Sequence, residues 1–141
     1  MMTSTRSARL ILLHKQSTSA RVRFLRLPAG ILAFMPLPAQ AELRDERYSA
    51  TVEAHPAAIV REAETRLGLA EGSIQPEAAF RAWVDTAEGD VPVLLGVFTT
   101  VDPPADAAAR LKGRFMPITE ARELPEIEQL LLRRAYEHVL G

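Results

Sequence analysis

Cysteine is absent from the 141 residues, which removes disulfides, thiolate metal sites and cysteine nucleophiles at once. Histidine is scarce: only His14, His55 and His138 occur, and isolated histidines are a poor basis for a metal centre. No apolar run approaches the ~20 residues of a membrane-spanning helix. The phosphate-binding patterns G-x-x-x-x-G-K-[ST] and G-x-G-x-x-G are missing, as are the hydrolase pattern G-x-S-x-G and the zinc-protease pattern H-E-x-x-H. Each absence lowers the standing of its reaction class.

What is present is ordinarily globular. Hydrophobic residues make up 48% and charged residues 25%, enough apolar material for one core in a chain of single-domain length. The formal net charge of −1 hides an asymmetry. Six basic residues, Arg6, Arg9, Lys15, Arg21, Arg23 and Arg26, precede the first acid, Glu42. The remaining 11 Lys and Arg then face all 18 acids, a net of −7 from residue 42 onward. So acidic a body is a poor partner for nucleic acid, because counterion release needs clustered cations.

Residues 1–41 read as a leader outside the fold. A basic, Ser- and Thr-rich start is followed by LPAGILAFMPLPAQA, and Ala39-Gln40-Ala41 imitates a signal cleavage site. Pro28, Pro36 and Pro38 interrupt the apolar stretch, so a start at Met35 with a cytoplasmic product competes with export after cleavage at Ala41. An organelle transit peptide is a third option. Residues 42–141 are then the single α+β domain.

Within that body, Tyr48–Glu53 alternates like a half-buried strand. His55-Pro56 opens a helix that Gly68 stops. Phe80, Trp83, Val84 and Ala87 could form a helix face, but a hairpin is preferred. In it, Phe80–Thr86 and Val91–Val101 flank the turn Ala87–Asp90, with Thr86 opposite Val91 and Ala82 opposite Leu95. Phe80, Ala82, Val84, Val93, Leu95 and Val97 then share one face, and Arg81, Trp83, Asp85, Leu94, Phe98 and Thr100 the other. A helix from Asp102 to Lys112, a short edge strand Arg114–Ile118 and a helix from Pro125 to Leu140 follow. The expected architecture is a ferredoxin-like β-α-β-β-α-β sandwich with an extra C-terminal helix covering Trp83, Leu94 and Phe98.

The stretch Val97–Phe115, VFTTVDPPADAAARLKGRF, has the layout of a phosphate-binding strand-to-helix turn. Pro103 and Pro104 lack the N–H groups that a phosphate needs, and Asp102 is placed to cap the helix itself. A cation or a donor-bearing ligand held by Thr99, Thr100, Asp102 and Asp106 is the remaining functional reading there. Leu95–Phe98 echoes the aromatic strand of ferredoxin-like RNA binders, but Phe98 is the strand's one aromatic and the body is acidic.

No catalytic constellation and no cofactor emerge, which leans away from an enzyme. The leading expectation is a protein-interaction or regulatory module, alone or as a homodimer through the open sheet face. Its candidate contacts are Arg81, Trp83, Leu94, Phe98 and Thr100. The alternative is a small-molecule pocket between the sheet and the C-terminal helix, with Arg81, Trp83, Thr100 and Arg114 as contacts. A third reading, a stable domain of an envelope assembly, requires an exported chain.

Overall fold

The computed structural model describes residues 8–19, 21–50 and 54–140. These residues form a mixed α+β unit with one eight-stranded, mostly antiparallel sheet, three α-helices and one 3₁₀ helix. The strands are β1 (Arg9–Lys15), β2 (Val22–Arg26), β3 (Leu32–Ala33), β4 (Glu42–Leu43), β5 (Ile74–Pro76), β6 (Ala82–Thr86), β7 (Gly89–Phe98) and β8 (Arg114–Met116). The helices are α1 (Pro56–Leu67), α2 (Ala105–Arg110) and α3 (Glu126–Leu140), and the 3₁₀ helix spans Ile118–Glu123. Among the described residues no helix is long and apolar enough to cross a membrane.

The main correction concerns the first forty residues. Expected to lie outside the fold, residues 9–33 instead supply three strands, and β1 runs through the middle of the sheet order β4-β6-β7-β1-β2-β8. It pairs parallel with β7, Arg9 opposite Val93 through Leu13 opposite Val97. On its other edge it pairs antiparallel with β2 and β3. Leu10, Ile11, Leu12 and Leu13 are all buried, so both faces of the strand are covered. A strand covered on both faces reads as a continuous apolar run rather than an alternation, which makes it look like part of a signal segment.

That insertion also changes the topology. In the ferredoxin-like order the two central strands run antiparallel; here β1 and β7 are parallel, and β2 lies between β1 and β8. The strand expected at 48–53 is not formed by residues 48–50, and 51–53 lie outside the described residues. The edge position expected for β8 is observed.

The hairpin forms, with a tighter turn than expected. Thr86 pairs with Gly89, Val84 with Val91 and Ala82 with Val93, leaving two residues in the turn. Thr86 Oγ1 accepts from Glu88 N (3.2 Å) and donates to Gly89 O (2.7 Å), while Gly89 takes φ +121°. The register therefore moves by two residues, which preserves every side-chain face. Which helix covers which face is inverted. Leu131, Leu132 and Ala135 of α3 pack on the layer of Ile11, Leu13, Phe24, Val84, Val93 and Leu95. Helices α1 and α2 cover Leu10, Leu12, Leu25, Leu94 and Phe98. The face expected to lie open beneath α3 is the α1–α2 face.

Helix α2 begins later than Asp102. Pro104 stands at the N-cap without a side-chain cap, and Ala105 N bonds to Pro103 O at 2.7 Å. The cause is local: a residue before proline is driven out of the helical region, so Pro103 cannot belong to the helix. Helix α1 starts at Pro56 and ends at Gly68, left-handed at φ 69°, as expected. Its buried Glu64 accepts from Gly72 N and Ile74 N, both at 2.9 Å, and so holds the turn into β5.

Burying four aliphatic side chains of β1 is worth roughly 6–12 kcal/mol gross, at about 1.5–3 kcal/mol each, an upper figure. This is as large as the net stability of a typical domain. A chain beginning at Glu42 is therefore expected to lack a cooperative thermal transition in circular dichroism. Leu12→Ala in the full chain is expected to lose about 2–5 kcal/mol in urea melts.

Candidate functional site

Helix α3 presents two faces by simple periodicity. Leu131, Leu132 and Ala135 point into the core, while Leu130, Arg133, Glu137 and Leu140 are exposed. Leu130 and Leu140 retain 38% and 41% of their accessible surface, unusual for large apolar residues here; Val101, in the loop after β7, is the other such case.

The helix is held by polar contacts at both ends. At its C-terminus, Lys15 Nζ donates to Val139 O at 3.0 Å, a cation where the helix dipole favours one. Near its start, Gln129 Nε2 donates to Leu124 O at 2.7 Å. The buried Glu128 Oε1 accepts from Ile31 N at 3.0 Å. Gly30 makes room for that carboxylate: a Cβ there would lie 2.5 Å from Glu128 Oε1, and φ is +132°. Burial pushes the Glu128 carboxyl above its ordinary value, with the Ile31 N–H and the Arg26 charge opposing. At the far end His138 Nε2 lies 3.6 Å from Glu77 Oε1, with its ring edge-on to Phe80.

Beside α3 runs a groove of about 300 Å³, bounded on its other side by residues 43–46. Leu43 and Leu130 supply apolar surface; Arg44, Arg133 and Arg134 supply positive charge. Arg134 Nη2 donates to Arg44 O at 2.7 Å and its Nε lies 3.7 Å from Glu46, tying the two walls together. Arg44 in turn reaches Asp90 at 3.2 Å and Asp85 at 3.4 Å, and its guanidinium lies 4.5 Å over the Tyr48 ring. Tyr48 Oη donates to Asp90 Oδ2 at 2.5 Å, and that bond, aided by burial and the Asp90 charge, holds the phenol above its usual range. By contrast, Arg133 and Glu137 form no ion pair among the described residues.

A second groove, about 470 Å³, is lined by Arg26, Lys112 and Arg114. Its cations are largely answered: Arg26 pairs with Glu123 at 3.2 Å, and Arg114 with Glu120 at 2.8 Å.

The five residues singled out from sequence do not form one site. Leu94 and Phe98 are core residues beneath α1 and α2, Phe98 edge-on to Phe115 at 5.6 Å. Trp83 is buried in β6, whereas Arg81 is exposed just before it. Thr100 Oγ1 donates to Asp102 O at 2.6 Å, and its carbonyl accepts from buried His14 Nε2 at 2.8 Å, which fixes the proton on Nε2. Thr99 Oγ1 donates to Gly72 O at 2.7 Å. The Thr99 hydroxyl thus ties two loops together, while that of Thr100 bonds within its own loop. Among the described residues, no group of three or more His, Asp or Glu could hold a metal ion. The space expected between sheet and C-terminal helix is occupied by Leu131, Leu132 and Ala135, all fully buried.

Folding residues 9–33 into the sheet also returns their cations to the domain. The net of −7 counted from residue 42 no longer describes its surface, and the charge argument against nucleic acid loses its footing.

The groove residues Arg44, Arg133 and Arg134 escaped notice because arginines set among acids, in a polar lead-in or on a helix, look like solvated surface. The signal available was the breadth of apolar positions on α3, where Leu132, Tyr136 and Leu140 add to the stripe of Ile127, Leu130, Leu131, Ala135 and Val139. The chain matches no known protein family, and no curated protein matches it either.

Glu128 gives this region a measurable pH signature. A carboxyl raised in the folded state contributes most below the ordinary glutamate range of about 4.3, and that contribution is lost as pH rises through the folded value. Glu128→Gln keeps an acceptor for Ile31 N–H without the charge. The variant is therefore expected to gain stability relative to wild type between pH 4 and pH 7 in urea melts, rather than track it in parallel.

Proposed function

We propose that this chain is a protein-interaction module that works through the outer face of α3 and the adjoining groove. The observation that carries the reading is the combination on one rigid element: exposed Leu130 and Leu140 around Arg133 and Glu137, two charges without ion-pair partners among the described residues. Arginine is enriched at contact surfaces, and the apolar groups beside it supply area that association removes from water. The rigidity matters equally. A face whose helix is tied to β1, to the β2–β3 turn and to Arg44 loses little conformational entropy on association. This surface replaces the open sheet face as the place of contact, since Leu94 and Phe98 are covered from within.

A photo-reactive amino acid at position 130 of the full chain tests the reading in the cells that make it. Adducts are expected at 130, reduced by Arg133→Glu, and absent when the probe stands at Thr65, an exposed residue of α1. Equal labelling at both positions, or none at 130, removes the proposal.

A further inference from the structure

Resting on that reading, we infer that the partner of the α3 face is a second copy of this chain, packed antiparallel about a two-fold axis level with Ala135. Positions 130, 133, 137 and 140 fall within an arc of about 80° at 100° per residue, so they form one stripe. All four are exposed. Their order is Leu, Arg, Glu, Leu, and it is symmetric in a particular way. Leu130 and Leu140 are equidistant from residue 135, and so are Arg133 and Glu137.

An antiparallel helix pair centred there brings Leu130 of each copy against Leu140 of the other. The same rotation sets each Arg133 against the other copy's Glu137. This is the requirement of an isologous interface, where one surface must complement itself. A parallel pairing does the opposite, placing Arg133 against Arg133 and Glu137 against Glu137. The charges therefore select the antiparallel mode as well as accept it. The stripe is slightly staggered about its centre line, which a shallow crossing of about 20° accommodates.

Of the other charged groups on α3, exposed Glu126 lies on the same stripe but nine residues from the centre, outside the 130–140 overlap. Arg134 is turned toward Arg44 O and Glu46, and His138 toward Glu77. Arg133 and Glu137 lie four apart on their own helix, yet they form no ion pair in the structure. Because the contact is one helix wide, it is smaller than the ~1,600 Å² of stable complexes. The dimer is weak, with a Kd on the order of 100 µM.

Sedimentation equilibrium of the full chain, up to about 1 mM, is the deciding experiment, with two charge variants at exposed positions that leave the fold intact by circular dichroism. Arg133→Glu and Glu137→Arg each put like charges across the axis, and each is expected to weaken self-association about tenfold at low salt. Mixed together, the two variants present opposite charges to one another, and their heterodimer is expected to recover wild-type affinity. The defect of each variant should shrink at high salt.

The orientation is read separately by cysteine pairing, which the cysteine-free chain allows without background. A mixture of Leu130→Cys and Leu140→Cys chains is expected to give mainly 130–140 disulfides. Like positions in an antiparallel pair stand about 15 Å apart along the axis, beyond disulfide reach. Dominant 130–130 and 140–140 products overturn the antiparallel mode. Wild-type association indifferent to both charge variants moves the dimer elsewhere and overturns the proposal. A wild-type monomer at the highest concentration overturns it too. In that last case, adducts at position 130 containing another protein leave the interaction reading standing, and their absence removes both.

Discussion

Everything in this fold is referred to one strand with two buried faces. Leu10 and Leu12 meet α1 and α2, Ile11 and Leu13 meet the layer beneath α3, and the two hydrogen-bonding edges are taken by β7 and by β2 with β3. Its neighbour β7 does the same with Val93 and Leu95 on one side and Leu94 and Phe98 on the other, so the parallel pair β1–β7 carries both helix layers. Two of the polar residues of β1, Arg9 and His14, are also committed inward. Buried Arg9 donates from Nε and Nη2 to the carbonyls of Met35 and Pro36 at 2.9 and 3.0 Å, and burial pushes its guanidinium below the ordinary value. His14 reaches across to Thr100. The strand thus fixes the path of the chain after β3 and the end of β7 by the same side chains that fill its ends.

The outer face of α3 inherits its geometry from that arrangement. A helix on a sheet could slide or roll while keeping its apolar stripe buried. Here Lys15, at the end of β1, catches the last turn, and Ile31, just ahead of β3, catches Glu128 in the first. The two contacts oppose sliding along the axis, while the Arg134 bond to Arg44 opposes roll. The exposed stripe is thereby presented at a set angle. That is the property a symmetric contact requires, because any roll of one helix is doubled across a two-fold axis.

How much of this could be read from residues follows the punctuation of the chain. Helix α1 was legible from Pro56 and Gly68, and the β6–β7 hairpin from its turn chemistry. Face assignments survived an error in register because a shift of two preserves parity. Parity says which side chains point together, though, and not which helix lies over them, so the two layers were exchanged. The first strands were missed for a different reason. RLILLHK does not alternate and sits in a basic, Ser- and Thr-rich stretch ahead of LPAGILAFMPLPAQA, so the whole of 1–41 reads as a leader. Buried Arg9 and His14 are legible only once their carbonyl partners, 26 and 86 residues away, are known. Likewise, Leu94 and Phe98 were taken for a contact surface because sequence cannot show what covers a sheet face.

The parallel pairing of β1 with β7 joins Arg9 to Val93, Leu12 to Gly96 and Leu13 to Val97. During synthesis β1 leaves the ribosome well before β7 and can close on β2 and β3, which follow it directly. Its other edge must wait for the residues of β7, on the order of ten seconds at ordinary elongation rates. Through that interval the nascent chain carries an unpaired edge of Leu-Ile-Leu-Leu, a template for pairing with any neighbouring chain. The late arrival of β7 therefore makes the order of emergence, as much as final stability, a determinant of how much protein reaches the folded state.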